Sequence, residues 1–165
     1  MLEALRTGVS MRKVELYEVP FIVDDTHAPH GADLGGRTQQ LIDAGRQGDA
    51  VKLFMRTVGV PAFWLMMMPM MPFWKKLCGV AHRLPNDYAI VLEHQQGEPL
   101  PAGYLSRVTI PALVIAGGRS PVYLKNAQAA VAAALPKGTL RELPGRTHIV
   151  RGKATVPVLR EFWGG

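Results

Sequence analysis

The sequence is poor in the residues that define several common classes of protein. It has a single cysteine, Cys78, so an intramolecular disulfide framework is excluded and a reducing compartment is indicated. It has no continuous apolar run of about 20 residues, the length that a membrane-spanning helix needs. The most apolar segment, residues 60–74, is interrupted by three prolines, and Glu3 and Arg6 break the apolar region that a secretory signal requires. We therefore expect a cytoplasmic protein without a membrane span.

Acidic residues are also in deficit, because 13 of them stand against 19 Lys and Arg residues and leave a formal net charge of +6. The basic residues are scattered along the chain, whereas a nucleic-acid-binding surface concentrates them, so no nucleic-acid partner is expected. Gly117-Gly118 lacks the spacing of a phosphate-binding loop. Neither a nucleotide nor a flavin cofactor is therefore predicted.

The sequence does contain the apolar residues of a globular core, at 48% of the chain. Three short apolar segments, 14–17, 112–116 and 139–143, are each followed by turn residues, as is typical of buried parallel strands. Helical patterns at 122–135 and 155–162 follow the second and third segments. This alternation predicts an α/β fold with a parallel sheet of about three strands.

The long segment between the first two strands, residues 21–107, has a different character. It contains helical patterns punctuated by Gly and Pro, at 39–44, 50–58, 73–83 and 87–94. We predict a single domain over residues 1–165, in which 21–107 is a helical insertion.

Three sequence motifs accompany the predicted strands: Leu16-Tyr17-Glu18-Val19-Pro20, Pro111-Ala112-Leu113-Val114-Ile115 and Leu143-Pro144-Gly145-Arg146-Thr147-His148. With these motifs the chain resembles the C-terminal half of an alpha/beta-hydrolase over nearly its whole length. The resemblance implies that residues 21–107 form a helical cap over an active site. It also implies that residues 2–8 end the helix after the Gly-x-Ser-x-Gly nucleophile turn, which would then lie upstream of residue 1.

Without a strand carrying that nucleophile, segment 14–17 is expected to form an exposed apolar sheet edge, which proteins cover or pair. We therefore predict a homodimer, formed strand against strand or cap against cap. The methionine-rich stretch of the cap supplies either that interface or an apolar substrate pocket. In the pocket interpretation, Trp64, Met67 and Trp74 line the cavity.

The family resemblance also indicates catalytic residues. The motif that ends in His148 carries the general base, and Glu18 occupies a strand end from which an acid orients that base. Loops at the carboxyl ends of parallel strands face one crevice, so Glu18, Ser120 and His148 are expected to converge. Pro121 lacks the backbone N–H of a nucleophile turn, and we predict instead that Ser120 caps the following helix.

Two histidines, His27 and His30, depart from the family pattern and follow an acidic pair, Asp24 and Asp25. Two imidazoles and a carboxylate are the ligands of many catalytic zinc sites. A metal would replace the nucleophile, because it lowers the pKa of bound water from about 15.7 to about 7. We predict a divalent metal, zinc or manganese, held by Asp24 or Asp25 together with His27 and His30. The alternative is that both histidines are ordinary residues of a surface loop.

These observations lead to three hypotheses. The first is a hydrolase that cleaves a small apolar ester-like substrate (a carboxylic ester, a lactone or a phosphotriester) with metal-activated water. The second dispenses with the metal and uses His148, oriented by Glu18, as the general base for water. The third, from another class, is a non-catalytic relative of the hydrolases that binds a ligand or partner.

Overall fold

The computed structural model describes residues 1–149 and 152–164. The chain divides into two compact units, one formed by Met1–Pro29 with His94–Gly165 and the other by His30–Glu93. The first unit contains the sheet, and the second is built from helices. Over the described residues, none of the helices combines the length and the apolar character needed to cross a membrane. The extent of the cap, residues 21–107, remains a prediction.

Strands and helices follow one another in a regular order. The strands are β1 (Val14–Tyr17), β2 (Ala112–Gly117) and β3 (Gly138–Leu143). The α-helices in chain order are α1 (Leu2–Arg6), α2 (Leu34–Asp43), α3 (Gln47–Thr57), α4 (Ala62–Met67), α5 (Trp74–Val80), α6 (Leu84–Val91), α7 (Val122–Ala134) and α8 (Gly152–Gly164). Short 3₁₀ turns lie at Met68–Met70, Ala81–Arg83 and Leu92–His94.

The sheet is parallel, with the strands in the spatial order β1, β2, β3. Its register places Val14 opposite Ala112 and Ala112 opposite Gly138. The central strand β2 is buried at every position, which explains why its sequence contains no polar side chain. The predicted strands agree with these bounds to within one residue. The predicted α/β fold with a three-stranded parallel sheet is therefore confirmed.

Helices cover both faces of the sheet because successive side chains of a strand point to opposite sides. On one face, Leu16 and Val114 pack in a cluster that includes Val131 of α7. On the other face, Ile115 packs against Leu159 of α8. Burial on both faces holds the strands in place and so fixes the positions of the loops at their carboxyl ends.

The helical unit has a separate core around Val51, Leu65 and Met68. Helix α4 is not among the helical patterns predicted for the insertion, and it lies in the apolar segment 60–74 that three prolines interrupt. In the structure Pro61 immediately precedes α4 and Pro69 lies in the 3₁₀ turn after it. Both prolines thus stand outside the interior of α4, where they are compatible with a helix.

Candidate functional site

Three loops meet at the carboxyl edge of the sheet. Glu18 directly follows β1, the turn from Gly117 to Ser120 follows β2, and the loop that bears His148 follows β3. Because the strands are parallel, their carboxyl ends lie at the same edge. This edge is the candidate functional site.

The carboxylate of Glu18 takes the place of a backbone group in the ladder between β1 and β2. The Glu18 N–H donates to the Ile115 carbonyl at 3.0 Å, which continues the ladder by one residue. Glu18 then adopts a φ of 45°, a left-handed conformation uncommon for a residue with a side chain. The next N–H of β2, that of Gly117, donates to Glu18 Oε1 at 2.6 Å rather than to a backbone carbonyl. The side chain of Glu18 is therefore anchored to the sheet itself.

Ser120 supplies a second donor to the same carboxylate oxygen. Its Oγ donates to Glu18 Oε1 at 2.5 Å, and both residues are buried. The prediction that Ser120 caps α7 is wrong: the N-cap position is Pro121, and no side chain makes a capping hydrogen bond there. The Ser120 hydroxyl has a single proton, and that proton goes to Glu18 instead. The structure thus confirms that Glu18 and Ser120 converge.

A close approach at Gly117 holds the loop of His148 against this pair. A Cβ atom on Gly117 would lie 2.8 Å from the carbonyl oxygens of Arg146 and Thr147, closer than real Cβ contacts allow. The Arg119 N–H donates to the Arg146 carbonyl at 2.7 Å, and the Tyr17 hydroxyl donates to the Thr147 carbonyl at 2.8 Å. The residue before His148 is therefore fixed beside the Gly117–Ser120 turn.

His148 itself is exposed and makes no hydrogen bond within the described residues. The second carboxylate oxygen of Glu18, Oε2, is buried and also has no hydrogen-bond partner among them. The structure thus places His148 in a loop at the Glu18 edge but does not join the two side chains. Their catalytic roles remain predictions.

Two tyrosines border the same edge, and their hydroxyls stay protonated at neutral pH. Burial raises the pKa of Tyr17, and the negative charge of Glu18 raises it further while Arg146 opposes the change. Burial and the charge of Glu18 likewise raise the pKa of Tyr123, in the first turn of α7. Both side chains therefore remain hydrogen-bond donors there.

The carboxylate of the predicted metal ligand Asp24 is engaged by protein donors. Its Oδ1 accepts from the N–H and the hydroxyl of Thr26, at 3.0 and 2.5 Å, and its Oδ2 accepts from Asn126 Nδ2 at 2.6 Å. These hydrogen bonds, that of the Thr26 hydroxyl above all, lower the pKa of Asp24. Asp24 therefore ties the loop after β1 to helix α7.

The other predicted ligands are not gathered around Asp24. His27 packs its ring 4.3 Å from that of Tyr123, and its Nδ1 lies 2.8 Å from the Ala28 carbonyl. Asp25 is exposed, and His30 belongs to the helical unit. Within residues 1–149 and 152–164, no three His, Cys, Asp or Glu side chains are grouped to hold a metal. The donor set thus does not fit a metal as it stands, and the metal centre remains a prediction.

The residues of the predicted substrate pocket have different surroundings. Trp64 is 53% exposed, whereas Met67 is half-buried. Trp74 packs against the core of the helical unit, and its ring would lie 3.1 Å from a Cβ on Gly48. Their contact with a substrate remains a prediction.

Sequence reasoning missed one buried polar residue next to the site, Gln128 of α7. Its side chain is fully buried, donates to the Val19 carbonyl and accepts from the Val19 N–H, both at 2.9 Å. It thereby fixes the residue that follows Glu18. The available signal was a glutamine within the run Ala127–Ala134, whose other residues are all Ala or Val.

Two solved structures resemble this chain. An alpha/beta hydrolase from Sphaerobacter thermophilus is 34% identical, with a TM-score of 0.82 over 98% of this chain and 62% of that one. BpoC, a candidate non-heme bromoperoxidase from Mycobacterium tuberculosis, is 16% identical, with a TM-score of 0.55 over 99% of this chain and 62% of that one. This chain thus spans less than two thirds of either protein. No model of a known protein family and no curated protein matches it. From its parallel sheet, its strand-end motifs and its similarity to the S. thermophilus hydrolase, the chain belongs to the alpha/beta-hydrolase superfamily.

Proposed function

We propose that this chain supplies the acid–base machinery of an ester hydrolase, in which Glu18 orients His148 and His148 takes a proton from the attacking water. The observation that carries this proposal is the buried carboxylate of Glu18, whose Oε2 has no hydrogen-bond partner in the described part of the chain. A buried carboxylate oxygen without a hydrogen-bond partner is costly, and an imidazolium that forms beside it removes that cost. The hydrolase from S. thermophilus supports the reaction class.

In the proposed mechanism the Nδ1–H of His148 donates to Glu18 Oε2, which leaves Nε2 to accept a proton. The His148 side chain is exposed in the loop after β3, and the mechanism requires its ring to turn toward Glu18. Nε2 then takes a proton from water as the water oxygen bonds to the ester carbonyl carbon. The acyl C–O bond breaks, the imidazolium returns the proton to the leaving alcohol, and a carboxylic acid is released.

The proposal is tested by the hydrolysis of p-nitrophenyl acetate. We expect His148→Ala and Glu18→Gln each to lower kcat/KM by about 100-fold or more, the usual contribution of a general base and its partner. The matched controls are His82→Ala, an exposed histidine of the helical unit, and Glu15→Gln, on the strand that Glu18 directly follows. Both controls should retain full activity, and circular dichroism verifies the fold of every variant.

Two outcomes contradict this proposal. Unchanged activity in both the His148 and the Glu18 variants would remove these residues from the mechanism. No turnover by the unaltered chain would instead favour a non-catalytic binding protein.

The same assay with a chelator examines the predicted metal. Without metal assistance, neither EDTA nor His27→Ala affects the rate. Loss of activity with EDTA and its return with zinc or manganese would favour the metal-assisted hypothesis instead.

A further inference from the structure

We propose that Ser120 is a positioning residue, whose hydroxyl holds Oε1 of Glu18 so that Oε2 is the oxygen left to orient His148. This inference rests on the proposed function, because it concerns how the acid of that site is held. It assigns a role to a serine that is neither the nucleophile nor a helix cap.

The first support is the distribution of donors over the two carboxylate oxygens. Oε1 accepts from the Gly117 N–H at 2.6 Å and from the Ser120 hydroxyl at 2.5 Å, whereas Oε2 accepts from no group among the described residues. The terminal torsion of a glutamate is broad and roughly two-fold, so a single donor leaves the carboxylate free to turn. Two donors from different directions fix its rotation and keep Oε2 in one place.

The second support is that Ser120 itself is fixed. Its N–H donates to the Gly117 carbonyl at 2.9 Å, and its Oγ would lie 2.6 Å from a Cβ at Gly117. The side chain is therefore held in the turn that also supplies the other donor to Glu18. Glycine at 117 leaves room for the Ser120 hydroxyl and the Arg146 and Thr147 carbonyls, all of which lie within 2.8 Å of where its Cβ would be.

A direct catalytic role for Ser120 does not agree with its surroundings. Ser120 is only 6% exposed, and its hydroxyl proton is donated to Glu18. Such a hydroxyl is not presented to a substrate. Ser120 does not cap helix α7 either. We therefore assign its side chain the role of holding the Glu18 carboxylate.

The test is a double-mutant cycle on the full 165-residue chain. We expect Ser120→Ala to lower kcat about tenfold and to leave KM unchanged, since a hydrogen bond to a charged group has about this effect. In the Glu18→Gln background, Ser120→Ala should cause no further loss, because it acts through the carboxylate. Ser106→Ala is the matched control, since its hydroxyl donates to the Gly103 carbonyl in an exposed turn.

A readout independent of turnover accompanies the kinetics. The ¹H–¹⁵N multiple-bond NMR spectrum reports which imidazole nitrogen of His148 carries the proton. We expect one tautomer, protonated at Nδ1, in the unaltered chain and in Ser106→Ala, and a mixture in Ser120→Ala and in Glu18→Gln.

The two proposals fail in different ways. If Glu18→Gln and His148→Ala leave activity unchanged, the proposed function is overturned. If these two variants lose activity while Ser120→Ala changes neither kcat nor the tautomer, the role of Ser120 is overturned. An equal loss from Ser120→Ala with and without the Glu18 carboxylate also overturns it, because Ser120 would then act independently.

Discussion

At the scale of single residues, Asp24 illustrates how a carboxylate in a suggestive sequence context serves structure. Its hydrogen bonds to Thr26 close a local turn, and its bond to Asn126 reaches helix α7, more than 100 positions later in the chain. All of these donors stabilise the ionised form, which is why the pKa of Asp24 lies below its usual value of 3.8. The residue therefore couples the stability of the sheet unit to pH.

The sign of this coupling leads to a prediction. Because the folded pKa is below 3.8, ionised Asp24 stabilises the fold above that pH, and the contribution is lost as the pH falls through the folded value. We expect Asp24→Asn to lower the free energy of unfolding at about pH 6 and to differ less from the unaltered chain at about pH 2.5. Urea denaturation at both pH values measures this difference. Asp25→Asn, at the exposed neighbouring position, is the control, and an equal effect of both substitutions would contradict the prediction.

At the scale of elements, helix α7 both covers the sheet and secures the chain next to the site. Val131 packs into the core beneath β1 and β2. From the same helix, Gln128 pairs with both backbone groups of Val19, directly after the left-handed Glu18. A β-strand partner normally satisfies such groups, and here a side chain does so where the strand has ended. The backbone conformation of Glu18 is thus braced from the helix.

The hydrogen bonds between Gln128 and Val19 predict a loss of stability when Gln128 is substituted. Gln128→Leu puts an apolar side chain of similar size in place of the amide and leaves the Val19 N–H without a partner, whereas the Val19 carbonyl keeps the Phe21 N–H at 2.9 Å. We expect the free energy of unfolding to fall by about 2 kcal/mol, the usual cost of a buried hydrogen-bonding group left unpaired. Gln40→Leu, at an exposed position of α2, should change it by less than about 0.5 kcal/mol. Chemical denaturation of both variants measures the difference. Equal free energies of unfolding in the two variants would show that Gln128 does not stabilise the chain at Val19.

The sequence predicts the elements better than the contacts between them. Strand β2 is recognisable because a strand buried on both faces must be continuously apolar, as Ala112–Gly117 is. Helix α4 was not among the predicted helices, although Pro61 stands directly before it, where a proline marks a helix boundary. Glu18 pairs with Ser120 while its backbone has a φ of 45°. No residue pattern in the sequence predicts this left-handed backbone conformation for a glutamate. Family resemblance indicated Glu18, but the donor that holds it emerged from the tertiary structure.

At the scale of the whole molecule, the open side of β1 is a candidate surface for association between copies of the chain. Val14 and Glu18 direct their N–H groups to β2, and successive residues of a parallel strand face opposite neighbours. The main-chain groups of Glu15 and Tyr17 therefore face away from the sheet, where no strand among the described residues pairs with them. An unpaired edge is a template for another strand. Of the two modes of dimerisation that the sequence leaves open, strand against strand and cap against cap, we expect the first, with two copies of the chain paired at this edge.

A pair of proline substitutions separates this association from the fold. The Glu15 N–H faces the open edge, so Glu15→Pro removes no hydrogen bond to β2 and should leave the chain folded but monomeric. Leu16 is buried and faces β2, so Leu16→Pro should unfold the sheet unit, because it removes a ladder bond. Sedimentation equilibrium gives the mass and circular dichroism the fold. A monomeric unaltered chain at high concentration would contradict the association itself, and a dimer that survives Glu15→Pro would place the contact between copies elsewhere. Only a contact at the β1 edge depends on the main chain of Glu15, so such a dimer would have to use another surface. The exposed apolar side chains of the helical unit, among them Phe63 and Met70, would be the next candidates.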